Sequence, residues 1–264
     1  MKKLGLITGI NYHNTSYELG GCLNDAAKIL EKLIKEFDFQ SKDIQLLLEE
    51  VATRKNIIDG LERLVKELEA GDIGVFSYSG HGTVTADLPP IEEEDMLDEA
   101  IVPIDSLNDR SLLIRDDEIN EILSRIKEGV HLFLIFDSCH SGTIYRLLPD
   151  ADNGEKMIKK MIPPSDSVRK IQSVVNEVIE EPLISKSHPL AGSNYILLAG
   201  CKEDELSYDD GQNGYLTREI VKYMEKGITY QELYTKVRDA VYIRSGKKQE
   251  PQIFGELITK KILE

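Results

Sequence analysis

The chain has 264 residues, a formal net charge of −15 and three widely spaced cysteines, Cys22, Cys139 and Cys201. That length suits one large α/β domain with insertions, and an odd, unclustered cysteine set points to a reduced compartment without structural disulfides or zinc. The acidity argues against nucleic acid, whose phosphates it repels, and no apolar run approaches the ~20 residues of a membrane span. The first apolar stretch is broken by glycine and threonine and lacks a cleavage site, so a cytoplasmic protein without a leader is expected.

Residues 4–8 read as a short apolar strand, followed by a loop over 9–21. Leu23, Ala26, Ala27, Leu30, Leu33, Ile34 and Phe37 recur at helical spacing and predict a helix over 22–37. A second strand comes next, over 43–48. Thr53 caps a helix over 54–68, with Ile57, Ile58, Leu61, Leu64, Val65 and Leu68 on one side. The apolar runs 73–78 and 131–136 read as buried strands, with a helix over 117–126 between them. A fifth strand over 195–199 precedes helices over 215–226 and 229–242, and 252–254 ends the sheet. Such alternation predicts an α/β fold over 1–264, with a mostly parallel central sheet and helices on both faces.

Two segments break the alternation. Residues 83–115 are rich in acids and turn formers and read as a surface excursion with a β-hairpin. Residues 150–193 carry Pro163, Pro164, Pro182, Pro189 and one helix-like piece over 165–179, and read as an exposed linker or insertion.

Chemistry concentrates where two strands end. Ser79-Gly80-His81-Gly82 comes directly after the third strand and Asp137-Ser138-Cys139-His140-Ser141-Gly142 after the fourth. Parallel strands deliver the loops at their C-terminal ends to one sheet edge, so thiol and imidazole meet there despite their separation in sequence. A thiol is nucleophilic as thiolate, and a neighbouring imidazole takes its proton and later protonates the leaving amine. Backbone N–H groups of Gly82 and Cys139 are candidates for an oxyanion hole. Taken singly, a loop histidine or a buried cysteine is more often a packing residue; the pair in matching glycine motifs reads as a cysteine peptidase. His140 reads as a loop residue, and Cys22 and Cys201 as packing.

The chain resembles caspase-fold peptidases of the metacaspase branch, including bacterial forms. The residues that carry this are Gly21-Cys22-Leu23-Asn24-Asp25-Ala26, the two motifs above, the run from Asp98 to Asp105, Ile114-Arg115-Asp116-Asp117-Glu118, the run from Ala199 to Glu205, and Pro251-Gln252. The resemblance implies a caspase-hemoglobinase fold and peptide hydrolysis by Cys139 with His81. It also implies that Asp25, Asp137 and Asp204 line a pocket for the residue before the cut (P1), with Ser79 shaping the backbone site. Carboxylates there pair an arginine or lysine and repel aspartate, so substrates are proteins or peptides with basic residues. Metacaspases often bind calcium through aspartates, here Asp98, Asp116 and Asp117. The family's fourth aspartate falls where this chain has Arg146, so no cofactor requirement is expected. Lys159, Lys160, Arg169, Lys170 and Lys186 in the linker are candidates for self-cleavage. Two alternatives stay open: a non-enzymatic signalling module that binds a basic segment of a partner, and a sulfur-based phosphatase. The second is disfavoured by acidic surroundings and by an arginine seven rather than six positions after the cysteine.

Overall fold

A computed structural model describes residues 1–87, 96–139, 157–178, 188, 190–192, 194–202 and 205–264. In chain order the elements are β1 (Lys3–Gly9), α1 (Cys22–Glu36), β2 (Ile44–Leu48), α2 (Arg54–Glu67), β3 (Ile73–Ser79), β4 (Gly82–Ala86), β5 (Leu97–Ile101), β6 (Ile114–Arg115), α3 (Asp116–Leu123) and β7 (His131–Asp137). They continue with β8 (Ile158–Lys159), α4 (Asp166–Val178), β9 (Tyr195–Ala199), β10 (Tyr208–Asp209), α5 (Tyr215–Tyr223), α6 (Tyr230–Arg244) and β11 (Gln252–Phe254). The central sheet has the order β11-β9-β7-β3-β1-β2. Every pairing in it is parallel except that of β11, which runs antiparallel to β9.

Every residue of β3 and β7 is buried, as continuous apolar runs in the middle of a covered sheet require. On one face Ile7, Val75, Phe133 and Ile135 pack with Ile29 and Leu33 of α1, Ile220 of α5 and Val237 of α6. On the other, Leu6, Phe76 and Leu134 pack with Ile57, Leu61 and Leu64 of α2 and Ile119 of α3. Each such side chain contributes about 1.5–3 kcal/mol by leaving water. Thr53 caps α2 by accepting a hydrogen bond from the Asn56 N–H at 3.3 Å. The register from Ile73↔His131 to Ser79↔Asp137 ends β3 and β7 side by side, and so fixes where the two motifs emerge.

Two sequence expectations need correction. The stretch after β3 is more than a surface excursion: β4, β5 and β6 form a second, antiparallel sheet, with Val84, Leu97, Ala100 and Ile101 buried. Nor is the described part of the expected linker simply exposed. β8 pairs antiparallel with β10, Lys160 is fully buried, and Val168 and Ile171 of α4 pack against Val84 and Leu97. Proline punctuation signals irregular backbone, but buried partners for that backbone and for the Lys160 ammonium come from elements distant in sequence. Among the described residues no helix is long and apolar enough to cross a membrane.

Candidate active site

His81 leaves the end of β3 with its main chain held on both sides. Its N–H donates to the Tyr12 hydroxyl at 3.0 Å, and its carbonyl accepts from the Tyr78 hydroxyl at 2.8 Å. The ring is buried, lies 4.7 Å from the Tyr12 ring, and places Nε2 2.7 Å from the Tyr17 carbonyl oxygen. A carbonyl only accepts, so Nε2 carries the proton and Nδ1 keeps its lone pair. Burial pushes the imidazole pKa down to about 4, helped by the Lys160 charge and against the pull of the Tyr17 and Lys160 carbonyls. The ring is therefore neutral at physiological pH, and Nδ1 makes no hydrogen bond to any described residue.

Cys139 comes just after β7 and is fully buried. Its Sγ accepts from the Ser207 N–H at 2.8 Å and lies 3.3 Å from the Ser207 carbonyl oxygen. Gly82 and Cys139 aim their N–H groups at one oxygen, the carbonyl of Lys160, at 3.0 and 3.2 Å. A side chain at position 82 would run into the Cys139 carbonyl oxygen, so only glycine allows the two loops to converge this closely. Lys160 is held along its backbone as well. Its N–H donates to Ser207 O at 3.0 Å, β8 pairs with β10 just before it, and the Ile162 N–H donates to Gly82 O at 2.9 Å just after it.

The Lys160 ammonium ends in an acidic pocket. Nζ lies 3.1 Å from Asp137 Oδ1, 3.3 Å from Asp25 Oδ2 and 2.9 Å from Ser79 Oγ. Asp25 and Asp137 expose at most 1% of their side chains, and Lys160 none. Asp25, at the first turn of α1, also accepts from Ser79 Oγ, Asn213 Nδ2 and the Gly214 N–H. Asp137 accepts from Ser207 Oγ and from both the N–H and Oγ1 of Thr217. Burial alone would discharge the ammonium, but Asp137 and Asp25 hold its pKa well above the ordinary lysine value. Burial likewise raises Asp25, with Lys160 opposing it. With this many donors on each carboxylate, an ionised triad is the state the geometry favours. A side chain at Gly214 would strike both Asp137 Oδ2 and Lys160 Nζ, so glycine keeps the pocket open.

A second acidic group lies at the β4–β5 sheet. Carboxylate oxygens of Asp87, Asp98 and Asp117 come within 4.8 Å of one another. Asp87 was not expected there; Asp116 does not join at that distance, although it is buried nearby. Burial and the Asp87 charge push Asp98 up to about 7, and burial with Asp98 pushes Asp116 up to about 8. Three carboxylates in a loop-and-strand cluster fit a hard divalent cation. Such an ion would neutralise the cluster and brace β5 against α3. Arg115 Nε already pairs with Asp98 Oδ2 at 2.9 Å and supplies part of that neutralisation.

The structure thus brings together His81, Gly82, Cys139, Asp25, Ser79, Asp137 and Lys160. Lys159 stands half-buried in β8, and Arg169 and Lys170 lie on α4, with Lys170 exposed. His140, Arg146, Lys186 and Asp204 lie outside the described residues. Sequence reading missed Tyr12, the Tyr17 carbonyl, Ser207, Asn213, Gly214 and Thr217. Most act through the backbone or as single hydrogen-bond donors, which leave no motif; the Asp209–Gly214 turn was the one visible signal.

A parallel sheet that presents a thiol, an imidazole and converging N–H donors at one edge, beside a buried acidic pocket, defines a caspase-type α/β protein. Residues 3–148 match the family model "Metacaspase, peptidase C14 domain". The chain belongs to that family. It is similar to metacaspase-1 of Schizosaccharomyces pombe, 29% identical over 91% of this chain and 64% of that protein. Similarity to metacaspase-8 of Arabidopsis thaliana is 41% identity over 54% of this chain and 38% of that protein. The chain thus spans between about a third and two thirds of the curated relatives it matches. The crystal structure of protein GSU0716 from Geobacter sulfurreducens superimposes with a TM-score of 0.71 at 25% identity, covering 100% of this chain and 98% of that one.

Proposed function

We propose that the protein is a cysteine endopeptidase that cuts after lysine or arginine, with Cys139 as nucleophile and His81 as base. We further propose that its own Lys160–Met161 bond is cut first. The observation that carries this reading is the double hold on Lys160. Its carbonyl lies under the N–H groups of Gly82 and Cys139, and its ammonium lies between Asp25 and Asp137. A residue gripped at both ends in this way has the posture of a P1 residue. The acidic surroundings also speak against the phosphatase reading, since carboxylates repel a phosphate dianion.

In the reaction the Cys139 thiol gives its proton to His81 Nδ1, and sulfur bonds to the Lys160 carbonyl carbon. The carbonyl electron pair moves onto oxygen, where the two N–H groups stabilise it; losing one such donor typically costs ~10²–10³ in rate. Collapse breaks the C–N bond, and the Met161 nitrogen takes the proton from His81 and leaves as an amine. Water then hydrolyses the thioester to a Lys160 carboxylate and a free thiol. Because Sγ rests on Ser207, the thiol must first turn toward the carbonyl carbon. The three free, buried cysteines suit a reducing compartment such as the cytoplasm.

Incubating the wild type beside Cys139→Ala and mapping fragments by mass spectrometry tests the reading. A new C-terminus at Lys160, formed only with the intact cysteine, is expected. A chain that binds basic peptides but cuts neither them nor itself is a binding module instead.

A further inference from the structure

We propose that substrate selection continues beyond the cut, through a pocket of mixed apolar and polar lining that takes a branched or larger aliphatic side chain two residues after the scissile bond (P2′). This rests on the peptidase reading, with Lys160 as P1, Met161 as P1′ and Ile162 as P2′.

Four observations support it. The Ile162 N–H donates to Gly82 O at 2.9 Å, so the residue beside His81 fixes the main chain at P2′. The Ile162 side chain is only 3% exposed and joins the main hydrophobic cluster. One residue further, Arg110 Nη2 donates to the Pro163 carbonyl at 2.7 Å and holds the chain in the cleft. Ile162 borders a cavity of about 110 Å³, walled by apolar Val102, Leu107 and Leu113 and polar Thr83, Ser106 and Arg110, together with Tyr17. Well-packed interiors leave few voids larger than a water molecule. Room of this size next to an otherwise buried side chain is what a pocket for exchangeable ligands requires.

The lining also sets the chemistry. Val102, Leu107 and Leu113 offer apolar contact, Thr83 and Ser106 add hydroxyls, and Arg110 is the one charged lining residue among those described. A lysine at P2′ meets that guanidinium and finds no carboxylate in the lining, whereas glycine leaves the space unfilled. Isoleucine, leucine and phenylalanine fit. The enzyme then favours sequences with an aliphatic or aromatic residue two positions after the basic one.

The test uses the full chain and internally quenched peptides with lysine at P1, varied at P2′ among Ile, Leu, Phe, Gly and Lys. A coumarin amide ending at P1-Lys, which has no P2′ residue, is measured alongside. Peptides with Ile, Leu or Phe are expected to exceed those with Gly or Lys by roughly 10- to 100-fold in kcat/KM. Leu107→Glu, at the half-buried rim, is expected to shift the Ile-to-Lys ratio toward Lys by about tenfold or more, as a carboxylate pairs the incoming ammonium. A flat P2′ series with the coumarin amide still hydrolysed overturns this inference and leaves the peptidase reading intact. No turnover of either substrate class overturns both.

Discussion

Lys160→Met removes the ammonium from the acidic pocket while keeping most of the side-chain volume. At an effective dielectric of about 20, each attraction, at 3.1 and 3.3 Å, is about 5 kcal/mol before desolvation. Burying the ammonium cancels much of this, and breaking a buried ion pair by deleting one partner typically costs about 3–5 kcal/mol. For a chain of this size that corresponds to a fall in Tm of roughly 5–9 °C. The comparison is best made in the Cys139→Ala background, where no chain is cut, by calorimetry from pH 5 to pH 8. Burial already raises the Asp25 pKa with the ammonium in place, and without Lys160 that opposing charge is lost, so Asp25 titrates still further above its unfolded value. The native state then binds more protons, so the deficit is small at low pH and grows as pH rises through the raised value. With Cys139 present, Lys160→Met should also remove the cut after position 160, and Lys160→Arg should keep it. An unchanged Tm together with an unchanged fragment pattern in Lys160→Met would refute the argument, because it would mean that neither pocket nor cleft depends on this residue.

Three further outcomes are expected. Peptides with Lys or Arg at P1 are cleaved and those with Asp are inert, and Asp137→Ala lowers kcat/KM for P1-Lys by about 100-fold or more, while the exposed Glu62→Ala does not; efficient cleavage after aspartate would mean the pocket is misread. Since burial lowers the His81 pKa to about 4 from an ordinary 6.5, the unfolded chain binds the extra proton between those values and stability rises with pH across that window. This contributes about 3 kcal/mol, so the acid slope of stability flattens in His81→Asn, and an identical slope in both proteins counts against a buried neutral imidazole. Calcium raises Tm through Asp87, Asp98 and Asp117 while EGTA reduces peptide turnover only weakly, and strict calcium dependence of turnover would show that Arg115 does not substitute for the ion.

The secondary elements were readable because each has a local cause. Period-3.6 apolar spacing gives α1 and α2, Thr53 starts α2, and unbroken apolar runs give β3 and β7. Parallel delivery to one sheet edge came from the βα alternation alone, which is why His81 and Cys139 were legible as a pair. The occupant of the pocket was not legible. Lys160 is one of several basic residues in a proline-marked stretch, and only the fold decides which of them meets two carboxylates. Those carboxylates come from the start of α1 and the end of β7, and the two N–H groups that grip its carbonyl come from the turns after β3 and β7. Local propensity records the conformation of neighbours along the chain. A charge triad, a tautomer set by the Tyr17 carbonyl and a cavity beside Ile162 depend on distances between segments far apart in sequence, and those exist only once the sheet has closed its register.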